Sequence, residues 1–199
     1  MTGDHRVLFF GDSFGAGVGD PDGRGWVGRV VAASWDARLP LVGYPLGVRR
    51  ETSVQVAARW RDEARVRLVD SLQARVVFSF GANDATVEDG RVRGEPAVSS
   101  ATLERVLDEA ALLGLPAFVV GPPPVGEDEQ DARIMALSRA FRRICGARAV
   151  PFADVCSALR ESPTWCAEAA AGDGSHPGAG GYAEFAGLVL AAGWIQWIS

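Results

Sequence analysis

Two short segments at opposite ends of the chain carry the residue types of nucleophilic catalysis. Residues 11–13 read Gly-Asp-Ser directly after a run of four apolar residues, and residues 173–177 read Asp-Gly-Ser-His-Pro. A serine hydroxyl is a weak nucleophile that needs an adjacent base, and an imidazole oriented by a carboxylate can serve as that base. Ser13, His176 and Asp173 are therefore candidates for the nucleophile, the base and the orienting group.

The rarity of basic side chains other than arginine narrows the chemistry further. All 20 Lys and Arg positions hold arginine, and the chain has only two histidines, His5 and His176. A lysine amine is required by Walker-type phosphate loops, by pyridoxal Schiff bases and by serine-lysine dyads, so these chemistries are excluded. Because His5 lies in the N-terminal tail, a histidine-dependent mechanism would use His176.

Structural roles compete with each of these assignments. Ser13 has the residue type of a helix N-cap, and Asp173 is a common turn former that precedes His176 at a predicted helix start. The segment 11–15 also fits the G-x-S-x-G nucleophile elbow, but Ser13 follows the first predicted strand, so no upstream strand could supply the oxyanion loop. Dinucleotide binding fits poorly, because Asp20 occupies the last glycine position of G-x-G-x-x-G.

A third polar segment follows the third apolar run. Residues 81–84 read Gly-Ala-Asn-Asp. The side-chain N–H of Asn83 can donate to an oxyanion, and Gly81 permits close backbone approach. Asp84 has the residue type that caps the next segment or braces the loop, and a simple turn-forming Asn-Asp pair is the alternative.

Short apolar runs alternate with longer amphipathic stretches along the whole chain. This rhythm predicts a doubly wound, flavodoxin-like three-layer α/β/α sandwich around a five-stranded parallel sheet, with residues 1–199 as a single domain. The predicted strands are 6–10, 39–44, 75–80, 115–120 and 148–152, and the predicted helices are 25–36, 52–72, 97–113, 129–145 and 178–193. Ligands of such sheets bind beyond the carboxyl ends of the strands. The polar segments described above all fall there.

The sequence resembles the SGNH hydrolases, also called the GDSL esterase/lipase family. The resemblance covers the chain through four ordered blocks, which are 11–13, Gly47 within YPLGVRRETS, 81–84 and 173–177. Phe14 replaces the usual leucine of the first block. The second block departs most, with Pro45 where asparagine is common and Arg50 where a small residue often follows.

This resemblance implies hydrolysis of esters or thioesters through an acyl-enzyme, without metal or organic cofactor. It implies that Ser13 is the nucleophile, His176 the base and Asp173 its orienting carboxylate. The backbone N–H groups of Ser13 and Gly47 and the side chain of Asn83 would form the oxyanion hole. From the sequence itself, a short acyl group is expected, because no large apolar lid segment is evident. The charged side chains of the loops GPPPVGEDEQ and EDGRVRGEP favour a polar leaving group.

Composition indicates the class of partner. A net charge of −5 and a pI near 5.1 argue against nucleic acid or an anionic membrane, so we expect a small-molecule ester substrate. Three scattered cysteines without a C-x-x-C pair, and no signal or spanning segment, favour a cytoplasmic location. Composition does not indicate an oligomeric state. Two other functions remain open: an acyltransferase with the same residues, and a non-catalytic flavodoxin-like binding module.

Overall fold

Five strands form one parallel sheet in the structure, a computed structural model that describes residues 5–68 and 73–199. The sheet strands are β1 (His5–Gly11), β2 (Leu41–Gly47), β3 (Ala74–Ser79), β6 (Ala117–Val120) and β7 (Phe152–Ala153). A separate antiparallel hairpin joins β4 (Val87–Glu88) to β5 (Arg91–Val92). The order across the sheet is β2-β1-β3-β6-β7. The first strand in the chain is therefore flanked by the second and third.

Helices cover both faces of this sheet. They are α1 (Gly25–Asp36), α2 (Ser53–Arg65), α3 (Pro96–Leu112), α4 (Asp128–Ala147), α5 (Cys156–Arg160), α6 (Pro163–Ala171), α7 (Ala179–Ala191) and α8 (Trp194–Ile198). Helices α1, α7 and α8 pack on one face, while α2 and α3 pack on the other. The predicted three-layer α/β/α fold is confirmed. Within the described residues, no helix combines the length and apolar character needed to cross a membrane.

The apolar run of β1 is explained by burial on both sides of the sheet. Val7 and Phe9 belong to the core under α1 and α7, whereas Leu8 and Phe10 belong to the core under α2 and α3. Successive side chains of a strand point to opposite faces, so an inner strand with helices on both sides is apolar at every position. All four side chains are at most 2% exposed.

Several predicted boundaries are wrong. The sequence predicts the fifth strand at 148–152, but Arg148 caps α4 and Ala149 adopts a left-handed φ of 52°, so the chain turns there and pairs only at β7. The second strand begins at 41 and continues to 47, beyond the predicted 39–44. The predicted helix 52–72 ends at Arg65, and residues 69–72 of that prediction lie outside the described residues. The hairpin and the short helices α5, α6 and α8 are additions that the pattern does not predict.

The C-terminal helix α8 packs against the core on one face of the sheet. The Trp194 ring is fully buried; it stacks on Phe9 at 5.6 Å and meets Phe118 edge-on at 5.7 Å between ring centroids. Its indole N–H donates to the Ser34 hydroxyl at 2.8 Å. The tryptophan-rich end of the chain therefore packs into the core through Trp194.

Replacing Trp194 by Ala should lower the free energy of unfolding by about 3 to 5 kcal/mol, because it opens a cavity beside β1. Trp35 is the matched control, since it is 57% exposed and makes one hydrogen bond to the Leu41 carbonyl. Its replacement by Ala should cost about 1 kcal/mol or less. Urea unfolding of both variants measures the difference, and equal losses would contradict the assigned role of Trp194.

Candidate active site

The turn after β1 presents Ser13 above the carboxyl edge of the sheet. The carbonyl oxygens of Asp12 and Ser13 accept hydrogen bonds from the N–H groups of Ala16 and Val18, at 3.0 and 3.1 Å. These bonds curl the chain into a tight turn that leaves Ser13 only 4% exposed. Helix α1 begins at Gly25, with Arg24 at its N-cap position. Ser13 therefore does not cap that helix.

Ser13, His176 and Asp173 form one chain of hydrogen bonds. The Ser13 Oγ lies 2.8 Å from His176 Nε2, and His176 Nδ1 lies 2.8 Å from Asp173 Oδ2. A carboxylate only accepts, so Nδ1 carries the imidazole proton and the Nε2 lone pair accepts from the serine hydroxyl. The three residues predicted from the two ends of the chain are thus brought together, in the order that a serine nucleophile requires.

Asp173 is fixed by its own loop. Its Oδ1 accepts the backbone N–H groups of Ser175 and His176, at 3.1 and 3.0 Å. Burial alone would raise the pKa of Asp173, but these bonds and the bond from the His176 ring lower it to about 2. Arg49 reaches the outer side of the carboxylate, with Nη2 at 3.4 Å from Oδ2. Asp173 therefore remains charged beside the imidazole throughout the neutral range.

His176 is held on its other sides by the loop that follows Ser13. The Phe14 ring lies 4.7 Å from the imidazole, between centroids. Gly19 has φ +90°, and a Cβ atom there would stand 2.7 Å from the Pro177 carbonyl oxygen and 3.0 Å from His176 Cβ. The Tyr182 hydroxyl donates to the Val18 carbonyl at 2.7 Å. The nucleophile loop thus also positions the base.

Gly47 ends β2 directly opposite Gly11 and packs against the Ser13 turn. A Cβ atom at Gly47 would lie within 3.0 Å of the Ala16 nitrogen and the Asp12 carbonyl oxygen. Val48 donates to the Gly11 carbonyl, so alternation along the strand directs the Gly47 N–H away from β1. Pro45 stands on the same outward side of this edge strand, where no N–H is needed. This explains how the second block tolerates its proline.

Asn83 lies just beyond the end of β3, with its amide turned toward the same turn. Its Nδ2 is 3.0 Å from the Glu51 carbonyl oxygen and 3.4 Å from Asp12 Oδ2. The following residue, Asp84, is buried and accepts from the Ser53 N–H at 2.8 Å, from the Ser53 hydroxyl and from the Ser99 hydroxyl at 2.6 Å. Asp84 therefore braces the loop from the N-terminus of α2, as predicted.

The sequence pattern assigns no role to Asp12, yet its carboxyl is buried beside the nucleophile. It is 2% exposed, and its Oδ1 accepts the Phe14 N–H at 3.0 Å. Burial raises its pKa to about 7, and the charge of Asp84 adds to the rise, against the hydrogen bonds from Phe14 and Asn83. The signal available in the sequence is its place at the end of a fully apolar strand.

The arrangement is suited to acyl transfer. Ser13 can lose its proton to His176 while it attacks a carbonyl carbon, and Asp173 stabilises the imidazolium that forms. Within residues 5–68 and 73–199, the Ser13 backbone N–H donates to no protein acceptor. The same residues contain no group of three or more His, Cys, Asp or Glu side chains placed to hold a metal ion.

Comparisons with known proteins agree with this chemistry. A model of the GDSL-like lipase/acylhydrolase family matches residues 9–184. A lipase/acylhydrolase from Enterococcus faecalis superposes with a TM-score of 0.77 at 23% identity, covering 96% of each chain. Axe2, an acetylxylan esterase from Geobacillus stearothermophilus, superposes with a TM-score of 0.78 at 20% identity, covering 100% of this chain and 99% of its own. A search of curated protein sequences finds no match.

Replacing Gly47 by Ala should lower the free energy of unfolding by about 1 to 3 kcal/mol, because the new Cβ overlaps backbone atoms of the Ser13 turn. Esterase activity should fall as well, since displacing a nucleophile by about 1 Å can cost 100-fold. Gly146 in α4 is the matched control, because a Cβ atom there would meet no neighbouring atom within 4 Å. Thermal unfolding and ester hydrolysis of both variants test this, and a harmless Gly47→Ala would contradict it.

The buried carboxyl of Asp12 should make stability depend on pH. Its pKa is about 7 in the folded protein against 3.8 for an ordinary aspartate, so its contribution is largest at acid pH and is lost as pH rises through 7. Asp84 and Tyr182 are the titratable groups that interact with it electrostatically. Between pH 5 and pH 8, the wild type should lose about 2 to 3 kcal/mol relative to Asp12→Asn. Urea unfolding at both pH values measures this, and a constant difference between the two proteins would refute it.

Proposed function

Because the chain belongs to the GDSL-like lipase/acylhydrolase family, we propose that it hydrolyses small carboxylic esters through an acyl-enzyme formed on Ser13. Family membership makes the protein a hydrolase of ester bonds, and this favours an enzyme over the binding-module alternative. The observation that carries the proposal is the 2.8 Å contact between Ser13 Oγ and His176 Nε2. With Asp173 on the other imidazole nitrogen, this is the arrangement that activates a serine.

In the proposed first step, His176 Nε2 takes the Ser13 proton as Oγ bonds to the ester carbonyl carbon. The carbonyl oxygen becomes an oxyanion, which the Ser13 N–H and the Asn83 amide stabilise by hydrogen bonds. The predicted third donor, the Gly47 N–H, is left out because it points away from β1. The C–O bond to the alcohol then breaks, and His176 returns its proton to the departing alkoxide. The products of this step are the free alcohol and an acyl ester of Ser13.

In the second step, water takes the place of the alcohol. His176 removes one proton from the water as its oxygen attacks the acyl carbon, and a second oxyanion forms in the same position. Collapse of this intermediate breaks the bond to Ser13 Oγ, which recovers a proton from His176. Asp173 does not take up a proton in either step, because its pKa of about 2 keeps it ionised.

The substrate class proposed is a short acyl group, such as acetyl, on a polar alcohol; thioesters of similar size are included. Charged and exposed side chains support it, because Arg49 contacts Asp173 at the site while Arg50 pairs with Glu88 of the β4–β5 hairpin. The Geobacillus neighbour is named as an acetylxylan esterase. A polar rim favours alcohols that remain hydrated, such as sugars, over long-chain lipids.

We also propose the domain organisation, the class of partner and the location of the protein. Residues 1–199 act as a single domain on a small-molecule substrate, with neither nucleic acid nor membrane as a partner. A cytoplasmic location is supported by the three cysteines, which are all free and include the exposed Cys166.

Replacing Ser13 by Ala should reduce kcat/KM by roughly four to six orders of magnitude, because the variant lacks the nucleophile. A panel of chromogenic esters from acetyl to long acyl chains measures the rate and the acyl preference together. The matched control is Ser157→Ala, which changes an exposed serine of α5. A fluorophosphonate should label the wild type and the control, and leave the Ser13 variant unlabelled.

Three results would count against the proposal. Wild-type rates in Ser13→Ala would exclude Ser13 as the nucleophile. A preference for long acyl chains would exclude the proposed substrate class. Faster product formation with an added alcohol, together with a new ester product, would point to the acyltransferase alternative.

A further inference from the structure

We propose that Asp12 is a positioning residue that fixes the amide of Asn83 with its nitrogen toward the forming oxyanion. This inference rests on the proposed function, because it concerns the same oxyanion site. It adds a residue that acts through Asn83 and does not itself touch the substrate.

The need for such a residue comes from the shape of an asparagine side chain. The two ends of its amide are nearly equal in size, but one donates hydrogen bonds and the other accepts them. Packing therefore cannot choose between them, and a flipped Asn83 would turn a lone pair toward the oxyanion. Only neighbouring donors or acceptors can select the correct orientation.

Two acceptors make that selection here. The Glu51 carbonyl oxygen lies 3.0 Å from Asn83 Nδ2, and Asp12 Oδ2 lies 3.4 Å from the same atom. Above pH 7 Asp12 is ionised, so in the flipped orientation the Asn83 oxygen would face the Glu51 carbonyl and the Asp12 carboxylate, and both contacts would be repulsive. The Asp12 contact is long for a hydrogen bond. The Asn83 N–H that faces Asp12 can therefore donate to an oxyanion when one develops, while the second N–H stays bonded to the Glu51 carbonyl.

Asp12 is itself fixed relative to the nucleophile. It precedes Ser13 in the chain, it is 2% exposed, and its Oδ1 is held by the Phe14 N–H on the other side of the serine. The neighbouring Asp84 cannot take over this task, because Ser53 and Ser99 already occupy its carboxylate. Asp12 thus ties the turn that carries the nucleophile to the loop that carries the oxyanion donor.

The Asp12→Asn change tests this with almost no change in shape. The Phe14 N–H requires an acceptor, so it binds the oxygen of the new amide and leaves the new NH2 group facing Asn83 Nδ2. Two donors then confront each other, and the Asn83 amide is driven from its working orientation. We expect kcat to fall about 100-fold, as for removal of an oxyanion donor, with KM changed less than about threefold.

A double-mutant cycle separates this role from a general loss of structure. Once Asn83→Ala has removed the amide, adding Asp12→Asn should lower kcat by less than about threefold more, because residues that act together are not additive. Asp20→Asn is the matched control. Asp20 is also buried and lies in the loop after Ser13, but it binds Arg29 and the Gly25 N–H. Asp20→Asn should change kcat by the same factor in the wild type and in Asn83→Ala.

Other outcomes would overturn the proposal. A 100-fold loss from Asp12→Asn in both backgrounds would show that Asp12 acts independently of Asn83, and an unchanged kcat would show no role. If Asp12→Asn does not fold, Asp12→Ser removes the same acceptor and enters the same cycle. If the wild type is no more active than Ser13→Ala, the proposed function itself fails. The side-chain amide NMR signals of Asn83 then decide the matter, because signals unmoved by Asp12→Asn would still exclude the orienting contact.

Discussion

The contact between Ser13 and His176 is the constraint on which the site depends, since it joins two residues 163 positions apart in the chain. A parallel sheet meets this constraint because every strand releases its following loop at the same edge. The order β2-β1-β3 then places the Gly47 and Asn83 loops on either side of the Ser13 turn. His176 and Asp173 do not follow a strand of the sheet; both lie in the loop before α7. The position of β1 between β2 and β3 is thus as important to the chemistry as the serine itself.

Three buried aspartates near the nucleophile differ in how many hydrogen bonds their carboxylates accept. Asp84 receives three donors, and Asp20 receives the Arg29 guanidinium together with backbone N–H groups. For Asp20, burial would raise the pKa, but these partners lower it. Asp12 has only the Phe14 N–H and a long contact to Asn83, so burial dominates and its pKa rises. Among these three, the carboxyl beside the nucleophile is therefore the one whose hydrogen bonds are least complete. That incomplete bonding is what lets it orient a neighbouring amide without holding it too strongly.

The local sequence pattern predicts much of the fold and of the candidate site. It predicts the apolar run of β1, the alternation of strands and helices, and the proximity of Ser13, His176 and Asp173. It does not predict the late start of β7, because the left-handed residue in the preceding turn is Ala149 and not a glycine. The orienting contact of Asp12 is not predicted either, since its residue types do not mark the pair and the burial of Asp12 depends on the packed fold. Contacts of that kind become visible only when the strands are paired.

Two glycines near the nucleophile allow the backbone to approach the histidine and the nucleophile turn closely. Gly19 lets the loop pass against His176 and Pro177, and Gly47 lets the end of β2 pass against the backbone of Asp12, Gly15 and Ala16. The glycine spacing that weakly resembles a dinucleotide site also has a structural cause at Gly17, because its φ is +74° and a Cβ atom there would stand 2.9 Å from Gly25 Cα. Backbone contact of this kind is rigid, because it leaves no side chain that can rotate to absorb a shift. The nucleophile and the base are consequently held by the same short loop, and strain anywhere in that loop reaches both.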